Sequence, residues 1–235
     1  MRGFVFDLDN TLFDRYATIT RILTDDYEKL KPYLNAAYDP DRAIDHVIHT
    51  EALNIMNGWE GVYDRLKAEY FFNMSNTPSY IQFHDYLMYK FSNIAVPFAF
   101  TQKLLEDIKK SGRKLGIITN GSSKLQKRKI ELLGFKDLFD CIIISGEFAK
   151  NMSGSENDIR YWKPNREIFD QMSKCLDIAA CDLYYVGDNP QNDVIGSAKA
   201  GYVPVWIMAK SPWPYDNSLL PEHRFYNIEG VRALL

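Results

Sequence analysis

Six short apolar runs constrain this chain most. Gly3–Phe6, Lys114–Thr119, Cys141–Ser145, Leu183–Gly187, Tyr202–Met208 and Arg224–Ile228 are rich in Val, Ile and Tyr. Their interiors do not alternate cleanly with polar residues, as expected for strands covered on both faces of a parallel sheet. After residue 100 the runs are separated by amphipathic helices with recognisable ends. Thr101–Ser111 stops at Gly112, Ser122–Leu133 at Gly134 and Pro190–Ala200 at Gly201, and a glycine just past the last turn is a common terminator. Pro164 suits the first turn of a helix over Asn165–Leu176. This alternation predicts a doubly wound α/β domain.

Residues 16–97 follow a different pattern. Thr18–Leu34, Asp41–Met56, Gly58–Phe72 and Ser79–Ser92 all read as amphipathic helices, with no β-branched run between them. An all-helical block after the first strand predicts an inserted helical domain. The α/β domain is then 1–15 with 98–235, and the helical domain 16–97.

The chain has 235 residues, 46% hydrophobic and 25% charged, which is enough to bury a core. A net charge of −3 gives no reason to expect a nucleic acid polymer as partner. No run of 18 apolar residues predicts a membrane span. The N-terminus carries no signal-peptide pattern, which predicts a cytoplasmic protein. Cys141, Cys175 and Cys181 are odd in number and lie in or beside apolar segments. They read as buried reduced thiols, without zinc-site spacing. His46, His49, His84 and His223 show no spacing suited to metal binding. Nothing in the sequence fixes the oligomeric state.

Four constellations sit at strand ends, the edge where open α/β folds bind ligands. Asp7 and Asp9 follow the first strand, one residue apart, with Thr11 after them. Carboxylates so close repel unless a cation or a shared proton intervenes. Thr119-Asn120-Gly121 opens a strand into a helix, where a hydroxyl and exposed N–H groups form an anion cradle. Lys163-Pro164 places a cation at another helix start. Gly187-Asp188 begins a turn that ends at Asp193.

Together and in this order, these motifs resemble the haloacid dehalogenase superfamily of phosphohydrolases, over essentially the whole chain. Asp7-x-Asp9-x-Thr11, Thr119, Lys163 and Asp188 with Asp193 are similar to its first to fourth motifs. The resemblance implies a Rossmann-like core and a mobile α-helical cap. It further implies Asp7 as nucleophile, Asp9 as acid–base, and Mg²⁺ held by Asp7, the Asp9 carbonyl and Asp188. Thr119, Asn120 and Gly121 would hold the phosphate oxygens, and Lys163 would offset their charge. Asp193 would reach the metal through water or orient Lys163, standing behind the ligands in either case. The superfamily's dehalogenases lack an acid at the position of Asp9, so the resemblance favours phosphate esters over halides.

The expected activity is therefore hydrolysis of a small phosphorylated metabolite, a nucleotide or a sugar phosphate. A phosphomutase and a catalytically silent binding protein on the same scaffold stand as alternatives. Two features depart from the family pattern. The segment 148–162 is longer than usual and reads as a mobile loop bordering the active-site mouth. The helical block is rich in aromatic residues, which predicts packing more than base stacking. Arg15, Tyr16 and Trp59 are its candidates for substrate contact.

Overall fold

The computed structural model describes residues 2–53, 58–208 and 212–235. Six strands form one parallel sheet: β1 (Gly3–Phe6), β2 (Lys114–Thr119), β3 (Cys141–Ile144), β4 (Leu183–Gly187), β5 (Val203–Ile207) and β6 (His223–Phe225). Their order is β3-β2-β1-β4-β5-β6, so β1 lies in the middle with Phe6 beside Ile117 of β2 and Val186 of β4. All four residues of β1 are buried, as a centre strand covered on both faces requires. On one face Val5, Ile118, Ile143 and Tyr185 pack with Ile168, Phe169, Met172 and Leu176. Phe4 and Phe6 point to the other face, because side chains alternate along a strand.

The chain divides into two compact units, 1–14 with 96–235, and 15–95. The second holds α1 (Arg15–Leu30), α2 (Pro40–Leu53), α3 (Gly58–Ala68) and α4 (Tyr80–Phe91). Its first and third helices end earlier than the periodicity suggests. α1 tightens into a 3₁₀ turn at Lys31–Tyr33, and α3 ends before Tyr70, which takes a positive φ of 55°. The expected extension of the second helix to Met56 lies outside the described residues. α4 starts at a capping box, with Ser79 and Gln82 satisfying each other's backbone N–H groups. Tyr63, Phe71, Phe72 and Phe83 pack in tilted and edge-to-face pairs here, as the packing role of these aromatics predicts.

The first unit adds α5 (Thr101–Lys110), α6 (Ser123–Leu133), α7 (Ser145–Ser153), α8 (Arg166–Leu176) and α9 (Gly196–Lys199). Five expectations need correction. The stretch read as a mobile loop over 148–162 is helical through Ser153, ends at Gly154 in a left-handed cap, and continues in a 3₁₀ turn at Ile159–Tyr161. Its Ser and Asn residues finish a helix that β3 feeds directly. Pro164 precedes the α8 helix instead of opening it, since Asn165 takes the N-cap. The helix predicted over Pro190–Ala200 begins as a π-helical turn, Pro190–Ile195, tied to the Asn189 side chain. The last strand is three residues, because Ile228 already starts a 3₁₀ segment.

The cysteines are the fifth correction. Cys141 and Cys175 are disulfide-bonded, not reduced, while Cys181 is free and exposed. α8 packs on β3, which brings the two Cα atoms to 6.2 Å, within bonding reach. No helix among the described residues is long and apolar enough to cross a membrane.

Candidate active site

Parallel strands deliver their last residues to one edge, so chemistry-bearing residues far apart in sequence meet there. Asp7 leaves the end of β1, its N–H donating to Val186 O at 2.9 Å. The chain then turns tightly, with the N–H groups of Leu12 and Phe13 both donating to Leu8 O. Asn10 takes a positive φ of 61° in this turn. Asp7 and Asp9 therefore follow β1 on a short, buried, internally bonded loop.

Lys163 arrives from the segment before α8 and its side chain is 2% exposed. Its Nζ donates to Asp7 Oδ1 at 2.6 Å and to Asp193 Oδ1 at 2.7 Å. Its backbone is held by a reciprocal pair: Asn120 Nδ2 donates to Lys163 O, and Lys163 N donates to Asn120 Oδ1, both at 3.0 Å. The amide read as part of an anion cradle thus fixes the lysine. Asp193 Oδ2 accepts from Asn189 N at 2.9 Å, and the Tyr185 hydroxyl reaches Asp193 Oδ1 at 3.4 Å. A Cβ on Gly187 would fall 2.4 Å from Asp193 Cγ, so only glycine at the end of β4 lets this carboxylate approach.

Asp7, Asp188 and Asp193 each present a carboxylate oxygen within 4.8 Å of the others, and all three are buried. Asp188 is fixed from behind, since Trp206 Nε1 donates to its carbonyl at 3.0 Å. Two carboxylates share the Lys163 ammonium and a third lies beside them, so the cluster carries excess negative charge. Burial pushes the Asp7 carboxyl up to about 7; Lys163 opposes this, and Asp193 and Asp9 reinforce it. Burial alone would lower the Lys163 pKa, but Asp193 and Asp7 outweigh it and hold the ammonium well above its usual range. A hard, oxygen-binding divalent cation fits this donor set.

Asp9 lies apart from that cluster. Its Oδ1 accepts from Lys129 Nζ at 2.7 Å and its Oδ2 from Gln126 Nε2 at 2.8 Å. Gln126 Nε2 also reaches Thr119 Oγ1 at 2.6 Å and Asn120 O at 3.0 Å. Gly121 N donates to Ser145 Oγ at 2.9 Å. Its φ of 144° and the 2.9 Å that would separate its Cβ from Gln126 Cγ leave no room for a side chain. The structure therefore brings Asp7, Asp188, Asp193 and Lys163 into one group, and Asp9, Thr119 and Asn120 into a second around Gln126.

Gln126, Lys129, Ser145 and Tyr185 were not singled out from the sequence. Gln126 and Lys129 lie three apart, on one face of α6. That helix also carries Lys124, Lys127 and Arg128, so spacing alone does not distinguish them. In the helical unit, the Arg15 guanidinium pairs with Glu51 at 3.0 Å and lies 5.1 Å from the Trp59 ring centroid. Tyr16 follows Arg15 on α1 and is half-buried.

The chain is 25% identical over its full length, and 96% of the relative's, to a glyceraldehyde 3-phosphate phosphatase of Methanocaldococcus jannaschii. It is 32% identical to the pyrimidine 5'-nucleotidase of Escherichia coli over 50% of this chain and 48% of that one. A Bacillus subtilis HAD-hydrolase solved with magnesium bound superposes over all of this chain and 98% of its own, with a TM-score of 0.70 at 18% identity. The profile of haloacid dehalogenase-like hydrolases matches residues 4–207, and the chain belongs to that family.

Proposed function

We propose that this protein is a Mg²⁺-dependent phosphohydrolase that cleaves a small phosphorylated metabolite, a nucleotide or a sugar phosphate, through a phosphoryl–Asp7 intermediate. The observation that carries this reading is the meeting of three buried carboxylates, Asp7, Asp188 and Asp193, with the Lys163 ammonium bonded to Asp7. The names of the relatives support a phosphatase, the Methanocaldococcus jannaschii protein over its whole length.

Asp7 and Asp188 would hold Mg²⁺, together with the Asp9 carbonyl. Asp193, with both oxygens already accepting, would orient Lys163 from behind. Bound there, Mg²⁺ supplies charge neutralisation for the phosphoryl group. An Asp7 oxygen forms a bond to phosphorus as the ester P–O bond breaks, and Asp9 gives a proton to the departing oxygen. Asp9 then takes a proton from the water that attacks phosphorus, and the bond to Asp7 breaks to release phosphate. Thr119 and the backbone at Asn120 and Gly121 steady the phosphoryl oxygens, with Lys163 offsetting their charge. The helical unit acts as the cap, with Arg15, Tyr16 and Trp59 contacting the substrate.

Hydrolysis of p-nitrophenyl phosphate tests the reading. Phosphate release should require Mg²⁺, stop with EDTA and fall by at least ~10³-fold in Asp7→Asn, as loss of a nucleophile does. A wild-type protein that binds Mg²⁺ yet releases no phosphate from this ester or from a panel of phosphorylated metabolites would refute it. Isomer formation without free phosphate would identify a mutase instead.

A further inference from the structure

We infer that Gln126 and Lys129 are positioning residues that hold Asp9 for its proton transfers and tie it to the phosphate-binding Thr119. This deepens the proposed phosphohydrolase reading and rests on it. Both oxygens of Asp9 are taken by α6, one by the Lys129 ammonium and the other by the Gln126 amide. A carboxylate gripped at both oxygens cannot rotate freely about its side-chain bonds.

The orientation of Gln126 is not arbitrary. Its Nε2 faces a carboxylate, a hydroxyl and a backbone carbonyl, and two of these three can only accept. A flipped amide would set an acceptor against acceptors. The native orientation has its own penalty, since Gln126 Oε1 is buried without a hydrogen-bond partner. The residue keeps three contacts at the site at the expense of one stranded oxygen. A side chain serving only the core would be apolar here.

Lys129 supports the same assignment. Its side chain is 6% exposed, and its Nζ lies 4.9 Å from the Phe13 ring centroid, on the loop that carries Asp9. A buried ion pair is a weak source of stability, because desolvation offsets its attraction. It does fix geometry, and here it fixes a group whose work depends on placement to within an ångström. The two donors sit on one helix face, so α6 acts as a rigid bracket from the Asn120–Gly121 turn back to Asp9.

Leaving-group dependence separates positioning from mere structural support. A p-nitrophenolate leaves without a proton, whereas an alkoxide needs one, so kcat/KM for an alkyl phosphate reports Asp9 as acid. Lys129→Met and Gln126→Leu are compared with wild type on p-nitrophenyl phosphate and on the alkyl phosphate that the wild type cleaves fastest. The expected result is a loss in kcat/KM of roughly 30-fold or more on the alkyl ester against a few-fold on the aryl ester, a part of the roughly 10²–10⁴-fold that general acid catalysis supplies. Lys129→Arg should recover part of the alkyl activity. If Lys129→Met does not fold, Gln126→Leu decides alone by the same ratio. Equal losses on both esters, or none, would overturn the inference and leave the phosphatase reading intact. A wild type inactive on every ester would overturn both.

Discussion

At the scale of single residues, two carboxylates share one ammonium at the centre of the site. Lys163 bonds both Asp7 and Asp193 and has almost no contact with solvent. Removing one partner of such a group leaves uncompensated buried charge, so Lys163→Met should destabilise the metal-free protein by about 3–5 kcal/mol. The same cluster sets a pH dependence. The Asp7 carboxyl is raised from 3.8 to about 7 in the folded protein. Folding therefore favours its protonated form, and that contribution is complete below 3.8 and lost as pH rises through about 7. The metal-free melting temperature should fall between about pH 4 and pH 7 and level off above, and Asp7→Asn should flatten the slope. Mg²⁺ needs the ionised carboxylate, so it should raise the melting temperature more at the higher pH. A melting temperature that climbs with pH without metal would contradict this account. Asp7 and Asp188 were legible in the sequence because each follows an apolar run, where topology leaves few other places for it, and Lys163 because it stands with Pro164 before a helix. Gln126 and Lys129 were not, because the partner that gives them meaning, Asp9, lies more than 100 residues away.

At the scale of elements, strands were easier to read than the segments joining them. The six apolar runs all became strands within a residue or three at each end, since burial on both faces leaves a continuous signal. The stretch after β3 misled because its Lys, Asn and Ser residues are as common at an exposed helix end as in a loop. The cysteines misled because pairing depends on which helix covers which strand, and composition does not say. The Cys141–Cys175 bond closes a separation of 34 residues, from the start of β3 to the last turn of α8. Chain-entropy arguments give a loop of that size about 3–4 kcal/mol of stabilisation. Cys175→Ser should lower unfolding free energy by about that amount, and a reducing agent should weaken the wild type while leaving the variant unchanged. Peptide mapping without reductant should find residues 141 and 175 in one linked fragment. Separate peptides with free thiols would refute the pairing.

At the scale of the whole molecule, the two units are held by different interiors and should respond oppositely to acid. The helical unit buries Asp26, which is 3% exposed and accepts from Lys29 at 2.8 Å, from Lys90 and from Tyr86 at 2.9 Å. Lys29, then Lys90 and Tyr86, hold its carboxyl well below the usual range. A carboxyl depressed on folding contributes stability that is present above its ordinary value of 3.8 and disappears as pH falls below it. Asp7 in the sheet unit runs the other way, since its raised value makes acid harmless to it. Asp26 joins α1 to α4, the first and last helices of its unit, so its protonation loosens both ends together. Hydrogen exchange read by peptide at about pH 2 and pH 7, corrected for the intrinsic rate, should show α1 and α4 losing protection while β1, β2 and β4 keep theirs. Asp26→Asn should reproduce at neutral pH the loss that acid causes in the wild type. Equal loss across helices and strands would mean that Asp26 does not govern the acid limb, and that the two units unfold as one.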